Sequence, residues 1–240
     1  MTTSRDHILS RLRMGLHTPG PLFRDQIDHT DPPASPSPVT GIGGTDHDLS
    51  EEFLTQLRKA GGDGVIFGKN DDPANHAADI IAQWLQDQKE RTAMSWDRNA
   101  LYGIDIETAL HSKNIELAFP KDLHDSEERQ FLEKLTVGVT GVTAAFAGTG
   151  TVALTFEPGR SRSASLLPLY HLVLVPTSRI FSNAESWIAE LNRTDSLKNT
   201  FVDSSQVIFI TGPSKSADIE LNLTTGVHGP KIVYSIVYEG

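Results

Sequence analysis

Cysteine is missing altogether from the 240 residues. That excludes disulfides, thiolate nucleophiles, Cys-ligated zinc and ordinary iron–sulfur ligation together. Redox chemistry served by this chain is therefore expected to run through centres on partner proteins, with no cofactor in the chain itself. Long apolar runs are missing too: none approaches the roughly eighteen residues of a membrane span. Met1 to Met14 is polar and charged rather than an apolar signal core, so the expectation is a cytoplasmic protein without membrane insertion. Lys and Arg form no stripe, and the formal charge is -10. Nucleic acid and anionic lipid both require a basic face, so neither is an expected partner.

Several motifs fail as well. The nine histidines never pair at helical metal-ligand spacing and no His-Glu-x-x-His occurs, so no metal site is expected. No Gly-x-Ser-x-Gly elbow is present. Gly148 to Ala153 nominally fits a dinucleotide fingerprint, but that fingerprint must open a helix, and Thr151 to Phe156 is β-branched and strand-like. Gly68-Lys69 lacks both the upstream glycine and the Ser/Thr of a Walker loop.

What remains is an α/β alternation with 38% hydrophobic residues, enough for a substantial core. Ile8, Leu9 and Leu12 predict a short amphipathic helix. Six prolines between Thr18 and Asp48, with Gly41, Gly43 and Gly44, predict a linker. Residues 1–47 thus form an arm, and the folded domain spans 48–240. Ser50 is expected to cap a helix that stops at Gly61, and Asp72-Pro73 to open a second. Ser182 and Glu185 predict a capping box for a third. Strands are expected at 65–67, 93–96, 115–119, 144–147, 151–156, 171–175, 207–210 and 232–238, several of them continuously apolar as strands covered on both faces are.

The carboxy-terminal stretch reads as strand (Val207 to Ile210), polar loop (Thr211 to Ser216), short helix with Asp218 and Glu220, glycine stop and final strand. A helix start leaves free N–H groups, and Lys215 beside them adds a positive charge. Gly212, Ser214, Lys215 and Ser216 are thus candidate anion ligands, against the plainer reading of a helix cap. Asp218 lies three residues after Lys215, where it either orients or neutralises the ammonium. Glu220 falls on a helix flank between buried and solvated sides. Thr149, Gly150 and Thr151 join two strands, either as a simple hairpin turn or as a pocket lining. His171 opens an apolar strand and is read as a core histidine or a ligand. His228 sits in a backbone held by Gly226, Gly229 and Pro230. In a regular strand-helix-strand unit, the Ser214 loop and His228 would lie ~15–18 Å apart, at opposite ends of the sheet.

Three segments carry a family resemblance: GVTGVTAAFAGTGTVAL (138–154), SLLPLYHLVLVPTSRI (165–180) and TGPSKSADIELNLTTGVHGP (211–230). In order and spacing they closely resemble the LUD domain of the lactate-utilisation protein C family, over most of residues 48–240. The resemblance implies a three-layer α/β/α fold with a mostly parallel or mixed sheet, like that of ribose-phosphate isomerases, glucosamine-phosphate deaminases and CoA transferases. It also implies a role in oxidising L-lactate to pyruvate with iron–sulfur protein subunits, and it supplies no catalytic residue. Two departures stand out: Gly148 replaces a usual acidic residue, and Lys215 replaces a usual Arg, which gives up the bidentate fork. The resulting expectation is a non-redox component of a lactate-oxidising assembly that binds a small anion at the Ser214-Lys215 loop, at the carboxyl ends of the strands. The rivals are a stand-alone enzyme acting on a phosphorylated or CoA-linked molecule, with Glu220 or His228 as base or nucleophile, and an adaptor that docks through its arm.

Overall fold

The computed structural model describes residues 45–121, 125–217, 223–226 and 228–239. The segment around Ile8, Leu9 and Leu12, the Pro/Gly-rich stretch up to residue 44, Asp218 and Glu220 lie outside the described residues.

Helix α1 (Asp46–Ala60) begins at Thr45, whose side chain and that of Asp48 cap one another's backbone N–H groups, and ends at Gly61 in the left-handed region. The cap therefore lies upstream of Ser50, which is buried in the second turn. Phe53, Leu54 and Leu57 form the inward stripe and are essentially fully buried, each worth about 1.5–3 kcal/mol of transfer free energy. Strand β1 (Asp63–Phe67) follows, then α2 (Pro73–Trp84), capped by Asp72 with Pro73 in its first turn as the sequence predicts.

The central sheet adds β2 (Thr92–Ser95), β3 (Glu116–Ala118), β4 (Val137–Thr140), β7 (Tyr170–Pro176) and β12 (Ile232–Tyr238). Its order is β1-β12-β7-β4-β2-β3, and every neighbouring pair is parallel. Helices cover both faces. A Cβ at Gly64 would meet Leu54 of α1 at 2.8 Å, whereas Phe67, on the other face of the same strand, packs its ring 5.1 Å from His76 of α2. On that second face Trp84 stacks on Tyr170 at 5.1 Å. Burial on both sides explains the nearly continuous apolar run of β7.

A second sheet is formed by β5 (Ala144–Phe146), β6 (Thr151–Phe156), β8 (Ile180–Phe181) and β9 (Gln206–Ile210), in the order β8-β5-β6-β9. Ala145, Ala147, Val152 and Leu154 on its inner face join the main core. Ala144, Phe146 and Ala153 on its outer face pack under Trp187 and Leu191 of α6 (Ala184–Arg193). The cap of α6 is Asn183 with Ser186 rather than Ser182 with Glu185, a shift of one residue that leaves the apolar stripe in place. Shorter helices are α3 (Ile106–His111), α4 (Ser126–Leu132), α5 (Ser163–Leu166) and α7 (Leu197–Phe201).

The largest departure from expectation lies after β9. Instead of a helix, the chain forms a hairpin, β10 (Lys215–Ala217) paired antiparallel with β11 (Leu223–Thr225). Its base is tied by Gly226 N–H donating to Ser214 O (2.9 Å) and Ser214 N–H donating to Pro230 O (2.8 Å). These bonds use backbone groups that a helix start would have left free. No helix of the described residues is long and apolar enough to cross a membrane.

Candidate functional site

Three of the sequence-predicted segments converge. Thr149 Oγ1 donates to Thr151 Oγ1 (2.7 Å), which in turn shares a 2.6 Å hydrogen bond with Thr211 Oγ1. The turn at Gly150 is pressed against α1, where an added Cβ would lie 2.1 Å from Leu57 N. Gly212 is less tight, its Cβ position being 3.0 Å from Ala60 O. Lys215 Nζ donates to the same Ala60 O (2.5 Å), so its charge answers the carbonyl end of α1. Ser214 lies beside Gly229, with 3.4 Å between its Cβ and the position of an added Cβ there. The exposed His228 is therefore next to the Ser214 loop and not a helix length away. Ser216 lies within β10, opposite Thr224.

This cluster sits at the amino end of the central sheet, where β1 and β12 begin, and not at the carboxyl ends as expected. The helix-start argument for anion binding also falls with the helix. Replacing Lys215 with Met should cost less than about 1 kcal/mol in urea denaturation, the size of a surface helix-end interaction. Ligand affinity should be unchanged; a tenfold loss would return this loop to the binding site.

His171 is elsewhere again. It is fully buried in the middle of the sheet opposite Gly138 and Val233, with Nε2 2.9 Å from Thr140 Oγ1 and Nδ1 unpartnered. Burial pushes its pKa down to about 3, so it is a neutral core residue at ordinary pH.

Strand order identifies a different location. From β2 the chain runs outward to β3, whereas from β4 it runs the opposite way to β7. The strand order thus reverses between β2 and β4, and the loops leaving them touch, an added Cβ at Gly141 standing 2.4 Å from Ala100 O. Beside this switch point a cleft lies between the loop after β2 and the turn after β6, lined by Asp97, Asn99, Ala100 and the segment Glu157 to Arg160, with a volume of about 190 Å³. It continues past Arg160 into a second hollow of about 490 Å³ bounded by Ser161, Arg162, Asp203, Ser205 and Gln206.

The segment is built by a tight turn. Pro158 and Gly159 occupy the central positions, Arg160 N–H donates to Glu157 O (2.8 Å), and Gly159 has φ 84°, a value that suits glycine. Asp97 N–H donates to Gly159 O (2.8 Å), which fastens the turn to the end of β2. Arg160 then lies with Cζ 5.7 Å from the Trp96 ring centroid, its Nη1 3.1 Å from Glu157 Oε1. Trp96 is itself held, its Nε1 donating to Ser161 O at 3.0 Å. Arg162 Nη1 donates to the neutral Gln206 Oε1 (2.8 Å), leaving further N–H groups of its fork for an anion. A larger cavity of about 710 Å³ at the ends of β1 and β12 contains Glu51 and Glu239 and no Lys or Arg, so its charge suits an anion poorly.

Alongside the cleft, Tyr102 takes φ 54° and donates its hydroxyl to Val142 O over Gly141. Arg179 stacks on its ring at 5.2 Å, and burial raises its pKa. Among the described residues no group of three or more His, Asp or Glu could hold a metal ion.

The family described as the LUD domain matches residues 50–238. The chain belongs to the LUD domain family. Proteins named lactate utilization protein C resemble it. The one from Oceanobacillus iheyensis is 30% identical over 162 residues, covering 67% of this chain and 69% of that protein. The one from Macrococcus caseolyticus is 34% identical over 163 residues, 66% and 67% of the two chains. An Exiguobacterium protein of the same name is 38% identical over 112 residues, and the match spans about half of each chain, 46% of this one and 48% of that one. In structure, a DUF162 family protein from Deinococcus radiodurans matches 81% of this chain and 99% of its own, with TM-score 0.53 and 15% identity, a likeness of fold.

Within this LUD domain, the site residues that sequence reasoning passed over are Trp96, Asp97, Asn99, Arg160 and Arg162. Their signal was present as a Pro-Gly turn directly after a strand, followed by two arginines within three residues of an acidic chain.

Proposed function

We propose that this LUD protein serves lactate utilisation as a non-redox component of an assembly whose other members are iron–sulfur proteins, holding a small carboxylate or related anion in the switch-point cleft. The names of its relatives support the metabolic context, and the lack of cysteine supports placing the clusters on partners. The observation that carries the binding site is Arg160, oriented over Trp96 at the end of β2 with Arg162 close behind. Guanidinium forks match carboxylate geometry bidentately, and stacking on indole fixes the plane of the fork before ligand arrives.

The size of the larger hollow, about 490 Å³, exceeds what a three-carbon acid fills. It favours, as a second reading, an enzyme acting on a phosphorylated or CoA-linked molecule.

Calorimetric titration of the full chain with L-lactate, pyruvate and inorganic phosphate separates these readings. Saturable carboxylate binding, weakened at least about tenfold in Arg160→Ala while cooperative melting is retained, is the expected result. Affinity that ignores both Arg160→Ala and Arg162→Ala would reject the cleft. Purification from lactate-grown cells without iron–sulfur proteins would reject the assembly.

A further inference from the structure

We infer that β9 is the seat of a twofold, edge-to-edge contact between two copies of this chain. The direction of its backbone can be derived from the rest of the sheet. Ala147 N–H donates to Phe181 O on the β8 side. Alternation along β5 then turns Ala144 and Phe146 toward β6, opposite Ala153 and Thr151. On β6 the intervening residues Val152, Leu154 and Phe156 accordingly face β9, where they meet Ile210, Ile208 and Gln206. Val207 and Phe209 therefore aim their N–H and C=O groups outward, on the side where β9 ends its sheet and no further strand of the described residues pairs with it.

Outer strands normally carry a device against such pairing: a charge, a proline or a cover. The edges of the central sheet do so, with Asp63 opening β1 in an ion pair to Arg58 (2.9 Å) and Glu116 opening β3. From Ser204 to Thr211 there is neither charge nor proline, in a chain of net charge -10. Phe209 is 56% exposed, and its ring lies 5.9 Å from Phe146, which leads through Trp187 to Phe201. Phe201 and Val202 are 37% and 67% exposed beside it. An apolar patch thus flanks the open edge on the outer face of the sheet.

A second copy fits this surface on two grounds. A neutral edge on an acidic molecule meets a like edge without the repulsion that most of the surface would impose. The strand is also self-complementary: antiparallel pairing centred on Ile208 sets Val207 of each copy against Phe209 of the other. Each such pair exchanges two hydrogen bonds, and both lie on the same face, so each Phe209 ring covers a partner valine. The two four-stranded sheets become one.

Sedimentation of the full chain over a wide concentration series tests this. The expected result is a reversible dimer whose dissociation constant rises at least about tenfold in Phe209→Lys. Val207→Pro should do the same, because it removes only an outward donor and leaves the bonds to β6 intact. Circular dichroism should be unchanged in both. A chain that stays monomeric throughout, or a dimer that withstands both substitutions, would overturn the inference.

Discussion

Replacing Gly138 with alanine is expected to destabilise the protein by at least about 3 kcal/mol, the upper range for forced overpacking of a core. Gly138 lies in β4 opposite His171, and an added Cβ would stand 1.9 Å from Ala164 O and 2.9 Å from Pro168 Cγ. The first obstacle is backbone, in the short helix α5 that covers this strand, so no side-chain rotation relieves it. Either α5 lifts from the sheet and exposes Ala164 and Ser165, which are fully buried, or β4 loses register with β7. Gly103→Ala is the control. There φ is 80° but nothing lies within 4 Å of the new atom, so only backbone strain of about 1–2 kcal/mol applies. Urea midpoints for the two variants separate sterics from conformation. A Gly138→Ala protein within about 1 kcal/mol of the parent would mean that α5 does not lie on β4 as described.

Acidification should destabilise the fold well before the carboxylates respond, because of His171. Its folded pKa is depressed to about 3 by burial alone, while the unfolded chain binds the proton near 6.5. Above 6.5 neither state is protonated at this site, and its neutral burial carries no pH penalty. As pH falls below 6.5 the unfolded state gains a proton that the folded state refuses, and stability drops by about 1.4 kcal/mol per unit. The decline from this group ends near pH 3. Asp63, held low chiefly by the Arg58 side chain, and Glu107, held low chiefly by Arg98, lose their contribution as pH falls from the ordinary carboxylate values of 3.8 and 4.5 toward their lower folded pKa, and so act below about pH 4.5. Stability measured from pH 6.5 to 4.5 should therefore carry one proton's slope beyond that of a His171→Gln variant. Equal slopes in the two proteins would show that His171 titrates freely in the folded chain.

Much of the secondary structure was legible because its signals are local. Thr151 to Phe156 and Ile232 to Tyr238 were expected as strands and are strands of those bounds. Asp72-Pro73 and Gly61 mark helix ends where they were expected. Strand β4 was missed because Gly138 and Gly141 interrupt its β-branched pattern, although the close approach of Ala164 O and of Ala100 O makes each glycine necessary. Residues 215–217 and 223–225 were misread because Ser, Asp and Glu after Gly-Pro imitate a helix cap. What decides otherwise is the pair of bonds joining Ser214 to Pro230 and Gly226, across a sequence separation that no capping rule senses.

The amino-acid sequence by itself determined the absence of cysteine and its redox consequences, the alternation of helices with buried strands, and membership of the LUD family. Each rests on residue identity or on hydrogen bonds and apolar spacing within a few residues. Tertiary structure alone decided where the candidate cleft lies, because a switch point is a property of strand order. The order β4-β2-β3 comes from pairings between Met94 and Gly138 and between Thr92 and Glu116, which residue patterns leave open. It decided likewise that Lys215 meets the carbonyl end of α1 while Arg160, unremarked in the sequence, lines the cleft. A charged side chain acquires its role from the dipoles and cavities that long-range folding brings beside it.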